Sequence, residues 1–166
     1  MSPLTLDTSD LLLSIRKKTS GTPYLKVELG PQTPALLPMN FAQEALVIQS
    51  EKITQIPNLS SRFLGLLNQR SRIYWVIDLP RLLGLERIPI HFHEYTIVIM
   101  RIGKTPLGLA VPKIDGVMRF SDDVVQSPIG TVEPALIPHL RGCMAENREI
   151  LMILDPETII HSVTAL

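Results

Sequence analysis

Apolar and polar residues alternate in short runs along most of this chain, and the runs rarely exceed eight residues. Leu25, Val27 and Leu29 alternate with Lys26 and Glu28, which predicts a strand with one buried and one wet face. Gly30-Pro31-Gln32-Thr33-Pro34 is a turn, and Ala35 to Met39 reads as a second strand. Further strands are expected over Ala45 to Ile48, Arg62 to Leu67 and Ile73 to Ile77, the last two joined by the polar turn Asn68-Gln69-Arg70-Ser71-Arg72. Asp78, Pro80 and Gly84 then bracket a short helix, with Asp as the cap, Pro in the first turn and Gly past the end. The second half follows the same style. Tyr95 to Ile102 turns at Gly103-Lys104 into Leu107 to Val111, and Val117 to Phe120 is another short strand. Ile150 to Leu154 is wholly apolar, so both of its faces are expected to be buried. Asp155-Pro156-Glu157 starts a second short helix, and residues 121–135 read as a long surface loop.

Two of these blocks superimpose at one offset, 77 residues. Ile73 falls on Ile150, Trp75 on Met152, Ile77 on Leu154 and Asp78 on Asp155, with Leu82 and Leu83 on Ile159 and Ile160. Upstream, Gly65 falls on Gly142. Ala35-Leu36-Leu37-Pro38 resembles Leu109-Ala110-Val111-Pro112 at a slightly shorter offset, 74. The pattern predicts two related subdomains, each too small to be stable alone and completed by a shared core.

Composition narrows the function. The chain has 166 residues, 45% hydrophobic and 19% charged, which is globular rather than disordered. Fourteen prolines spread along it disfavour long helices. Sixteen basic and sixteen acidic residues cancel, which argues against non-specific nucleic-acid or membrane-surface binding. No run reaches the roughly 20 apolar residues of a membrane helix, and no secretory signal is expected in the leader, residues 1–21. There Asp10 is expected to cap a short helix over Leu11 to Lys18. The single cysteine, Cys143, suits a reducing cytoplasm.

The chemistry-bearing residues favour binding over catalysis. Asp78 and Asp155 form a possible carboxylate pair, but each precedes a helix, where Asp caps backbone N–H groups. His91 and His93 could face one side of an extended segment, yet no third metal ligand is evident. Cys143 reads as a buried, inert thiol. No catalytic or phosphate-cradling motif is present, so no enzyme activity, cofactor or metal is expected. Arg70, with Asn68, sits in a turn between apolar strands, a place suited to recognition.

The string Gly65-Leu66-Leu67-Asn68-Gln69-Arg70-Ser71-Arg72-Ile73-Tyr74-Trp75-Val76-Ile77-Asp78-Leu79 resembles the signature of the CheW family of chemotaxis coupling proteins. Leu37-Pro38-Met39, Ala42 to Ala45, Leu107 to Phe120 and Ile150 to Glu157 extend the resemblance over roughly residues 22–164. Four positions depart from it. Ser71 stands where the family usually has Gly, Trp75 where it has Pro, Gln69 where it has an apolar residue, and Pro112 where Asp usually follows Val. The resemblance implies an all-β fold of two pseudo-symmetric, intertwined five-stranded Src-homology-3-like barrels that share a hydrophobic core, with short helices. It implies one domain over 22–164, its subdomains roughly 22–88 and 93–164. It also implies a cytoplasmic, non-catalytic adaptor that couples a chemoreceptor tip to a CheA-type histidine kinase in chemotaxis. A scaffold of a pilus-motility or phototaxis array is the alternative. By that resemblance Arg70, Asn68 and Gly65 lie at the receptor-facing surface, Ala42 and Glu44 match a groove between subdomains, and the kinase docks on apolar surface of the first subdomain.

Overall fold

The computed structural model describes residues 21–89 and 93–164. The leader helix expected before residue 21 and the position of His91 lie outside them. Eleven strands form two sheets. The strands are β1 Thr22–Glu28, β2 Pro34–Pro38, β3 Ala42–Gln49, β4 Ile53–Thr54, β5 Phe63–Gln69, β6 Arg72–Asp78, β7 Glu94–Ile102, β8 Thr105–Val111, β9 Lys113–Phe120, β10 Leu140–Glu146 and β11 Glu149–Leu154. Two short α-helices, α1 Leu79–Leu82 and α2 Pro156–Thr164, each follow the closing strand of a hairpin.

One sheet runs β10-β11-β2-β1-β9 and the other β3-β7-β8-β6-β5-β4. The two orders are the same arrangement built twice. Each sheet holds a hairpin from one half of the chain (β10–β11 or β5–β6) and a lone strand from that half (β9 or β3). Between these sits a hairpin donated by the other half. The donated hairpins, β1–β2 and β7–β8, join parallel on one side and antiparallel on the other. A division of the chain near residue 90 therefore does not follow the sheets, because the strands are exchanged. The short β4 is the additional sixth strand of the second sheet.

The 77-residue repeat is a repeat of geometry. Phe63 pairs Ile77 and Gly65 pairs Val76 across a bulge, and Leu140 pairs Leu154 and Gly142 pairs Ile153 across its twin. Both hairpins turn on two residues with positive φ: Arg70 (51°) and Ser71 (64°), then Asn147 (48°) and Arg148 (65°). Two such residues in a two-residue loop make a type I′ turn, whose twist matches that of paired strands.

Burial sorts the apolar residues into three clusters. Ile48, Leu67, Tyr74, Val76, Ile97 and Ile99 are among those filling one barrel. Tyr24, Leu36, Met144, Leu151 and Ile153 fill the other. The largest cluster, including Val27, Leu37, Ile77, Val98, Leu109, Leu154 and Ile159 of α2, lies between the sheets. Adjacent residues of one strand alternate between these layers, as Val76 and Ile77 do. Two expectations need correction. Ile150 is exposed, so only Leu151 to Leu154 are buried; it follows the hairpin turn, where the strand runs out past the core. The stretch 121–135 is tied down as well as looped: Gln126 bridges Cys143, and Val125 packs against the second barrel.

Candidate functional site

Arg70 occupies the first turn position of the β5–β6 hairpin and projects to solvent, its side chain 76% exposed. Glu44 lies near the start of β3, just after the bulge that separates it from Ala42. Barrel closure brings these residues together: an Arg70 guanidinium nitrogen lies 3.2 Å from a Glu44 carboxylate oxygen. At such exposure the pair contributes at most about 1 kcal/mol to stability. Its effect is to orient Arg70 along the rim. Asn68 is exposed on the same hairpin, opposite Ile73. Ala42 is half-buried and packs against the inter-sheet core.

Gly65 belongs apart from these four. The resemblance placed it at a surface, whereas the structure buries it. Its φ is +143°, and an added Cβ would collide with the carbonyl oxygen of Thr54. Gly65 is there so that β4 can cross close over the bulge. Gly142 does the same for the second barrel, where a Cβ would come 2.6 Å from Val125 Cγ1 and 2.8 Å from the Gln126 oxygen.

The aspartates are committed to structure. Asp78 is 2% exposed. Its Oδ1 accepts the Arg81 N–H at 3.1 Å and its Oδ2 the Ile88 N–H at 2.9 Å. The carboxylate thus caps α1 and pins the segment after it. Burial pushes its pKa up, against those two hydrogen bonds and the Arg81 and Arg87 charges. Asp155 Oδ1 accepts the Glu157 N–H at 3.0 Å, with Arg141 Nε at 3.7 Å. The pair serves as two caps in equivalent places of the repeat.

Among the described residues, no group of three or more His, Cys, Asp or Glu side chains is placed to hold a metal. Cys143 is buried, its thiol donates weakly to the Ser127 carbonyl at 3.6 Å, and burial raises its pKa. Burial, then the Arg62 charge, lowers the pKa of His139. No helix among the described residues is long and apolar enough to cross a membrane.

The sequence reading missed one surface feature. It treats Ile73 to Ile77 as a uniformly apolar strand, yet β6 leaves Ile73 and Trp75 exposed. The Phe63 ring meets Trp75 edge-on at 5.4 Å. The signal that marks Trp75 is its departure from the family pattern.

The CheW-like domain family model matches residues 23–164. The chain is 26% identical over 122 residues to Chemotaxis protein CheW of Thermotoga maritima, covering 72% of this chain and 76% of that protein. It is 27% identical over 96 residues to Protein PilI of Pseudomonas aeruginosa, covering 58% of this chain and 53% of PilI, about half its length. The crystal structure of scaffolding protein TtCheW from Thermoanaerobacter tengcongensis superposes with a TM-score of 0.71 at 20% identity, covering 82% of this chain and 90% of that one. That likeness establishes the Src-homology-3-like barrel fold. With the family model spanning both barrels and their shared core, this chain belongs to the CheW-like family of non-catalytic chemotaxis scaffolds.

Proposed function

We propose that this protein is a cytoplasmic adaptor that couples chemoreceptor tips to a CheA-type histidine kinase, with residues 22–164 acting as one domain. The observation that carries this reading is the Arg70–Glu44 pair, in which a largely exposed guanidinium on a tight hairpin turn meets a carboxylate of β3. A receptor tip is a helical hairpin. A helix laid beside the two barrels meets apolar floor contacts near Ala42 and polar rim contacts at Asn68, Glu44 and Arg70. Arg70 suits a partner carboxylate or the carbonyl end of a helix, because its planar fork offers several donors at once. Gly65 supports the hairpin that presents Asn68 and Arg70, without touching a partner.

Arg70→Glu is expected to weaken receptor binding strongly while leaving the circular dichroism spectrum and melting temperature nearly unchanged. Receptor affinity equal to that of the unmodified protein would remove Arg70 from the site. The similarity to PilI supports a second reading, in which the array served is pilus-linked. Binding assays with purified receptors and kinases from the same genome's taxis and pilus systems separate the two.

A further inference from the structure

The second sheet ends on β3. That strand pairs β7 on one side, from Glu44 with Ile99 to Gln49 with Glu94. The Ser50 N–H donates to the His93 carbonyl at 2.8 Å and continues the same register. In an antiparallel ladder, hydrogen-bonded and non-bonded pairs alternate. Counting back from Ser50, it is Ile48, Leu46 and Glu44 that turn their N–H and C=O groups toward β7. Ala45, Val47 and Gln49 turn theirs away, and these groups find no backbone partner among the described residues. The side chains of the same three residues are exposed, with Val47 at 65%.

Open strand edges are ordinarily blunted by charges, bulges or proline. β9, which holds the equivalent place in the first sheet, has two of these devices. Lys113, Asp115 and Arg119 are exposed along it, and Asp115 is the extra residue of a bulge against β1. The outward row of β3, Ala45, Val47 and Gln49, has no charge, no proline and no bulge. A strand chosen by charge would find nothing to meet there, but the row is complementary to itself. Set two copies antiparallel about a two-fold axis at Val47. Val47 then faces Val47 of the second copy, Ala45 faces Gln49 and Glu44 faces Ser50, so no like charges are opposed. We propose that the β3 edge pairs with β3 of a second copy of this chain, which joins two six-stranded sheets into one. The pairing covers Val47 and satisfies the outward N–H and C=O groups. Nothing in it depends on receptor binding, although Glu44 lies on the same strand.

A strand pair this short makes a small interface, so the association is weak and grows with concentration. Sedimentation of the full chain should show the mean mass climbing from monomer toward dimer. Val47→Pro removes only an outward N–H, on an edge strand that tolerates proline. It should weaken association about tenfold, because both hydrogen bonds at the axis are lost. Val47→Lys opposes two like charges on the axis and should weaken association as well. Cys143 is buried and is the only native cysteine, so an introduced thiol is the one that reacts. Val47→Cys should give a disulfide-linked dimer on mild oxidation, because Cα atoms paired at the axis lie about 5.5 Å apart. Ala45→Cys should not, since the same residue of the second copy lies about 14 Å away. A chain that stays monomeric, with Val47→Cys unlinked, overturns the proposal. So does association that Val47→Lys, folded by circular dichroism, leaves unchanged, or equal linking of the two cysteine variants. Dimers that form only after removal of residues 1–20 would give the edge to the leader and would equally overturn it. Protection of the Val47 amide from hydrogen exchange only when a receptor or kinase fragment is added would give it to that partner, with the same result.

Discussion

Ser71→Gly tests the turn on which the candidate rim stands. Ser71 holds φ +64°, in the left-handed region that costs a side-chain-bearing residue about 1–2 kcal/mol. Glycine removes that cost. It also enlarges the freedom of the unfolded chain, which gives back about 0.5–1 kcal/mol. The net expectation is a stabilisation of about 0.5–1 kcal/mol. For a domain of this size that raises the melting temperature by about 1–4 °C. The Ser71 side chain makes no hydrogen bond among the described residues, so nothing else is lost. The repeat supplies an internal control. Arg148 holds φ +65° at the equivalent place in the β10–β11 hairpin, so Arg148→Gly should produce a similar rise. Thermal unfolding followed by circular dichroism measures both. An unchanged or lower melting temperature in both variants would refute the claim that the positive-φ turns store strain.

Gly65→Ala should lower stability by more than about 2 kcal/mol, because Cβ meets the Thr54 backbone and φ is unfavourable; chemical denaturation checks this. Asp155→Ala removes the acceptor for the Glu157 N–H and should cost about 1 kcal/mol by the same assay. Asp78→Asn should destabilise by about 1–2 kcal/mol near neutral pH, because an amide offers one acceptor where two N–H donors converge. The pH dependence has a definite sign. The folded state raises the Asp78 pKa above its ordinary 3.8, so it holds that proton more tightly than the unfolded chain does. The Asp78 contribution is therefore full below 3.8 and is lost as pH rises through the folded value. Relative to Asp78→Asn, the unmodified protein should gain stability as pH falls toward 4, measured as the difference between their unfolding free energies.

Most local structure was legible because the relevant signals are local. The offset of 77 aligns a glycine, a strand and a capping aspartate, and each has a specific backbone meaning that the structure confirms. What escaped were the facts that depend on distant partners. The two-residue β4 has no periodicity to detect; its existence is explained by Gly65, which leaves room for it. The exchange of hairpins was expected only through the family resemblance, because it rests on the parallel pairings β6–β8 and β11–β2, which no local pattern encodes. The unbroken apolar run Ile73 to Ile77 gave no sign that one face of β6, at Ile73 and Trp75, would end uncovered. Arg70 and Asn68 stood out by their place in a polar turn, and Ala42 and Glu44 only through the family resemblance; that Glu44 and Arg70 touch needed barrel closure.

The position of the donated hairpins limits how such a molecule can be dissected. Each occupies the middle of the sheet it enters, so withdrawing it severs that sheet rather than trimming an edge. Cut near residue 90, the first fragment keeps β3 and β6 with nothing between them, and β1–β2 with no neighbours; the second is left in the mirrored condition. Neither fragment keeps either sheet whole. Each half thus holds the middle of the other's sheet, and the two barrels stand or fall together.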